Sequence, residues 1–179
     1  VQVKFYKTSQ DSVDQTFVSL CDKLYSANSS FFVFTPSQNY IDELDRYLWT
    51  YSSPKFIPHL QANCAEALMY NNDSQQSLNC LSSQIMHYNK QEVVLVPINA
   101  KCDSEEHLHL TASLKNFVNT SEGIDVGNLK TICIIFCDDA AVMEKFQHIA
   151  DFIEALKAKQ ITYNIWDNTN ALKTWEKIV

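Results

Sequence analysis

The chain has 179 residues, 46% hydrophobic and 20% charged, the proportions of a folded domain of ordinary size and not of a disordered segment. Net charge is −7 and Arg46 is the one arginine, so the basic stripe with interleaved aromatics that marks direct nucleic-acid binders is missing. No apolar run nears the roughly 18 residues of a membrane span, and no basic, apolar, then small-residue pattern opens the chain, so neither membrane insertion nor a signal peptide is expected.

In chain order, residues 3–8 (VKFYKT) alternate as a strand does and open the fold. Ser12 and Gln15 have capping-box spacing ahead of Val13, Phe17, Leu20, Cys21 and Leu24, which recur at helical intervals. FFVF (31–34) is a short continuous apolar run, as in a strand buried on both faces. Thr35, Pro36 and Gln38 then fit N-cap, N1 and N3 of a helix. Its apolar face carries Tyr40, Ile41, Leu44, Tyr47, Leu48 and Tyr51, and Trp49 falls about 150° from the middle of that face. Either Trp49 points outward to be covered by another protein, or the helix ends early and the ring folds under the loop of Ser52, Ser53 and Pro54.

Residues 61–91 are rich in Asn, Gln and Ser and are expected to be an insertion. Short helices are predicted at 65–70 and around Leu78, Leu81 and Ile85. Strands are predicted at 93–98, 107–112 and 131–136, then a helix over 139–158 with Val142, Phe146, Ile149, Ile153 and Leu156 on its core face. A last strand at 161–166 and a short terminal helix at 169–178 complete the prediction. Strands alternating with helices predict a single α/β domain over 1–179, with a mostly parallel central sheet.

Gly123 and Gly127 are the only glycines, and both lie in a polar loop. Phosphate- and dinucleotide-binding loops need Gly for close backbone approach, so neither loop can be built and no cofactor is expected. Asp138 and Asp139 follow a buried strand, where they suit either Mg²⁺-dependent phosphoryl transfer or the N-cap of the next helix. His107 and His109 would share one sheet face without an evident third metal ligand, and His59 has no nameable partner. The six cysteines, at 21, 64, 80, 102, 133 and 137, form no CxxC pair and no metal spacing with histidine, a pattern of free thiols in a reducing cytoplasm. On the late helix, Lys145, His148, Phe152 and Lys159 fall within about 60° of each other. That arrangement is either a solvated edge with Phe152 on the core or a seat for an acidic peptide ending in an apolar residue.

DELDRYLW (42–49) followed by FIPH (56–59) resembles the chi subunit family of bacterial DNA polymerase III, in which a helix ending L-W precedes F-[IV]-P-H. VVLVP, HLHLTASL and TICIIFCDDAAV fit the same layout, so the resemblance spans most of residues 1–166. It implies a non-enzymatic clamp-loader adaptor in a bacterial cytoplasm, with a three-layer Rossmann-like fold and no nucleotide site. The psi subunit would bind around Trp49 and Phe56, with Tyr51 and Pro54 in the same element. The acidic C-terminal tail of single-stranded DNA-binding protein would bind the late helix at Lys145, His148, Phe152 and Lys159, although Ile149 stands where the family has Arg. Residues 167–179 are expected to be an extension. Two alternatives stand beside this reading: a metal-dependent phosphoryl-transfer enzyme using Asp138 and Asp139, and an adaptor whose partner at Trp49 is a DNA helicase.

Overall fold

The computed structural model describes residues 1–9, 12–50, 56–61, 79–82, 92–99, 112, 129–137, 147–169 and 175–178, and only the backbone at 147–149. In chain order the elements are β1 (Gln2–Thr8), α1 (Val13–Ser26), β2 (Phe31–Phe34), α2 (Gln38–Thr50), β3 (His59–Gln61), β4 (Asn79–Ser82), β5 (Val93–Pro97), β6 (Thr131–Cys137), α3 (Gln147–Ala158), β7 (Tyr163–Asp167) and β8 (Glu176–Lys177). Among the described residues the strands form one sheet in the order β3-β4-β2-β5-β6-β1-β7-β8. Every pairing is parallel except β7 with β8.

The central strands are continuous apolar runs because both of their faces are covered. FFVF of β2 and VVLVP of β5 are buried along their whole length, as parallel strands between helical layers require. β1 lies two places beyond β5, across β6, and alternates. Phe5 meets Phe152 of α3 edge-on at 6.3 Å, while its neighbour Tyr6 faces the α1 side with Thr16 and Leu20. Successive strand side chains point to opposite faces, so α1 and α3 cover opposite sides of the sheet and the domain has three layers. The core joins Phe5, Phe17, Phe31, Phe32, Leu95 and Ile134, all fully buried, without a polar break.

The helix ends follow local chemistry. Ser12 does occupy the N-cap of α1, but it makes no side-chain cap bond, and its hydroxyl pairs with that of Ser9 at 2.7 Å. The cap of α2 is Ser37 and not Thr35. Its Oγ accepts from the Tyr40 N–H at 3.4 Å and its carbonyl accepts from Ile41 N–H at 3.0 Å. α1 ends with Asn28 in the left-handed region, φ 55°, a conformation Asn tolerates, while Ser29 N–H closes back on Leu24 O at 2.9 Å.

Three expectations change. Leu81 lies in the buried strand β4, not in a helix, because Asn79–Ser82 has a parallel neighbour on each side. The C-terminal segment ends in strand β8, not in a helix, with Ile178 N–H reaching Ile165 O at 2.8 Å. Of the strand expected at 107–112, only Ala112 is described, and it is helical. The helix at 65–70 and the residues Asp138 and Asp139 lie outside the described residues.

Candidate functional site

α2 exposes the ring that its periodicity sets apart. Tyr40, Ile41, Leu44 and Leu48 are buried against the core, whereas Trp49, one residue on, is 59% exposed. The chain then returns through Phe56, which is 55% exposed, and Ile57, which is buried. This alternation puts the Phe56 ring 5.0 Å from the Trp49 ring, tilted by 41°. Two large aromatic rings, adjacent and mostly bare, form an apolar patch beside the edge strand β3. Tyr51 and Pro54, expected in the same element, lie outside the described residues.

His59 supports this patch from beneath. Its side chain is fully buried, with Nδ1 2.7 Å from Ile57 O and Nε2 3.2 Å from Asp45 Oδ1 on α2. The Nε2 contact is close but poorly aligned, an electrostatic contact more than a hydrogen bond. The Trp49 ring lies 5.4 Å from the imidazole, so the same residue that meets Asp45 also backs the exposed indole. About a turn earlier on α2, Asp42 accepts from the Gln38 amide at 3.1 Å and also from the Gln61 amide, joining α2 to β3.

Asn79 holds the other side of this turn. Its Oδ1 accepts from the buried Phe31 N–H at 3.1 Å, and its Nδ2 donates to Pro58 O at 3.0 Å. One buried amide therefore ties the Phe56–His59 segment to the first residue of β2. Neither role is legible in the sequence alone. His59 had no visible partner because Asp45 is fourteen positions away on a different element, and Asn79 sits in a stretch whose polar composition hid a buried strand.

The late helix differs from expectation. Phe152 is 1% exposed and Leu156 fully buried, so the core stripe of α3 runs through these two i,i+4 positions and Ile153 is only partly buried. Leu156 is buried in both settings, so the helix is turned by only about half a residue step, roughly 50°, toward Phe152. Phe152 takes that place because Phe5 of β1 offers an aromatic partner in the core. This corrects the surface role expected for its ring. Lys159 is exposed just past the helix end, His148 is helical with its side chain outside the described residues, and Lys145 lies outside them altogether. Nearby, Lys157 pairs with Glu154 at 2.7 Å.

The described residues contain no cluster of three or more His, Cys, Asp or Glu able to hold a metal ion. The four described cysteines are buried free thiols. Burial pushes Cys80 up to about 11 and Cys133 up to about 12, so at neutral pH both stay protonated and act as small apolar groups, not nucleophiles.

A family model described as DNA polymerase III chi subunit, HolC, matches residues 1–164. The chain belongs to the DNA polymerase III chi subunit family. The family is that of an accessory subunit of DNA polymerase III. No curated protein matches it at the sequence level. Among solved structures, domain 2 of the DEAD-box helicase Mss116p, bound to an RNA duplex, is similar with a TM-score of 0.54 and 12% identity. That similarity covers 90% of this chain and 61% of the helicase chain, so the chi-family chain spans less than two thirds of it. The C-terminal domain of S. cerevisiae Dbp5, bound to Gle1 and IP6, gives a TM-score of 0.47 at 13% identity, covering 92% of this chain and 89% of that one. At such identities the first likeness speaks to fold alone. No described helix is long and apolar enough to cross a membrane.

Proposed function

We propose that this chi-family chain is a non-catalytic adaptor of the bacterial polymerase III holoenzyme. On this reading it sits in the cytoplasm and links single-stranded DNA-binding protein to the clamp loader through the psi subunit. The observation that carries the proposal is the Trp49–Phe56 pair, two rings 5.0 Å apart and each more than half exposed. Aromatic anchors of this kind concentrate binding energy when a partner covers them. The buried His59, Asp45 and Asn79 contacts fix the two elements that carry the rings, so little conformational entropy is lost when the patch is covered.

The acidic tail of single-stranded DNA-binding protein is proposed to dock along the cationic edge of the late helix, at Lys145, His148 and Lys159. Phe152 contributes there by seating the helix on the sheet, not by touching the tail. Co-purification of psi with the wild-type chain, and its loss with Trp49→Ala and with Phe56→Ala, tests the main proposal. Retention of psi by both folded variants would overturn it, and capture of a DNA helicase in place of psi would reassign the partner.

A further inference from the structure

At the opposite edge of the sheet from Trp49 lies a cavity of about 450 Å³ between α1 and the β1–β7 ends, with Tyr6, Trp166, Trp175 and Lys23 among its lining. This volume falls within the range of small-ligand pockets. The family model ends at residue 164, so Trp166, Asn168 and Trp175 are contributed by chain beyond the family match. That chain is anchored. Asn168 N–H donates to Lys7 O at 3.1 Å, β8 pairs with β7, and the Trp175 ring stands edge-on to Tyr6 at 5.3 Å.

The lining defines a ligand chemistry. Three aromatic rings present flat apolar surface suited to a planar group. Gln15, Ser19 and Asn168 supply hydrogen-bonding groups, and none of the described lining residues is acidic. Tyr6 adds no negative charge either, since burial pushes its hydroxyl up to about 12. Among the described lining residues the one charged group is Lys23, in the last turn of α1, and no described carboxylate forms an ion pair with it. A cationic ligand would find no carboxylate among the described lining residues. A polyanion would meet a chain of net charge −7 with a single local cation, which opposes its approach. The geometry points to a binding site for a planar aromatic monocarboxylate, its ring among Tyr6, Trp166 and Trp175 and its carboxylate on the Lys23 ammonium.

The three tryptophans allow a direct test, because two line the cavity and Trp49 lies at the far edge as an internal reference. Isotope-labelled full-length chain is titrated with naphthylacetate and, separately, with its uncharged amide, following the indole N–H resonances. The expected result is a saturable shift of the Trp166 and Trp175 signals with Trp49 unmoved, and an affinity for the acid about tenfold above that for the amide. Lys23→Gln should keep the folded spectrum and remove the preference for the acid, and Trp175→Ala should abolish the shifts. A peptide ending in naphthylalanine, with its C-terminal carboxylate free, then assigns the source. Binding equal to that of the free acid indicates a polypeptide terminus, and binding of the free acid alone indicates a small metabolite. No shift of Trp166 and Trp175 up to about 10 mM, equal affinity for acid and amide, or an unchanged preference in Lys23→Gln overturns the proposal.

Discussion

Trp49 and Leu48 are consecutive residues with opposite surroundings, and comparing their truncations separates interface from core. A Trp side chain carries about 250 Å² of surface, so 59% exposure leaves roughly 150 Å² for a partner to cover. At about 25 cal/mol per Å² that area corresponds to roughly 4 kcal/mol of transfer free energy on binding. A hot-spot loss of at least ~2 kcal/mol is therefore expected for Trp49→Ala, raising the Kd for psi about thirtyfold or more. The part of the ring already buried, roughly 100 Å², gives the fold at most ~2.5 kcal/mol, less after allowing for a compact unfolded chain. Leu48 is 5% exposed, so Leu48→Ala should cost about 2–5 kcal/mol of stability, or roughly 5–20 °C in Tm. Thermal melts followed by circular dichroism, with calorimetric titration of psi into each variant, read both quantities. A greater destabilisation by Trp49→Ala than by Leu48→Ala, or a change in the Kd for psi of less than about threefold, would refute the interface role of Trp49.

Asn79→Ala leaves the Phe31 N–H and Pro58 carbonyl without the partners they have at 3.1 and 3.0 Å, and should cost about 2–4 kcal/mol in a urea melt. A loss below about 0.5 kcal/mol would show that water replaces the amide at little cost. The buried thiols Cys21, Cys80, Cys133 and Cys137 should resist alkylation at pH 8 in the native protein and react once it unfolds, as read by peptide mass spectrometry. Native labelling of Cys133 would contradict its burial. At Asp167, burial raises the carboxyl, but hydrogen bonds from Thr169 N–H and hydroxyl, both 2.7 Å, and Lys7 at 3.4 Å outweigh it and leave the pKa lowered. A lowered folded-state pKa means that its stabilisation is present above the unfolded carboxylate range and lost as pH falls through the folded value. Asp167→Asn should thus flatten the stability profile in acid relative to wild type, and a parallel profile would refute the assignment.

Legibility followed the strength of periodicity. FFVF, VVLVP and TICIIF were readable as strands because a run without polar residues has few uses other than a strand covered on both faces. Trp49 was readable as an outlier because the other apolar residues of its helix agree on one face. β3 and β4 were hidden, since a three- or four-residue strand is held by its neighbours and has too little length to show a period. The rotation of α3 was hidden for a different reason. Phe152, Ile153 and Leu156 allow two adjacent core settings, and Phe5, far away in sequence, decides between them. His59 and Asn79 act through partners on other elements, and no local pattern announces such contacts.

The position of β1 constrains how the chain can be made. It is synthesised before the other described strands of the sheet, yet its two neighbours, β6 and β7, begin at Thr131 and Tyr163. At about 5–20 residues per second, synthesis leaves β1 without either partner for on the order of ten seconds or more. During that interval Val3 and Phe5, later fully covered, are open to unwanted pairing, and Lys4 and Lys7 between and beside them supply the charge that discourages it. A strand paired on both sides in the finished sheet is thus among the last to be placed, and a nascent chain stalled before β6 would be the form most in need of a chaperone.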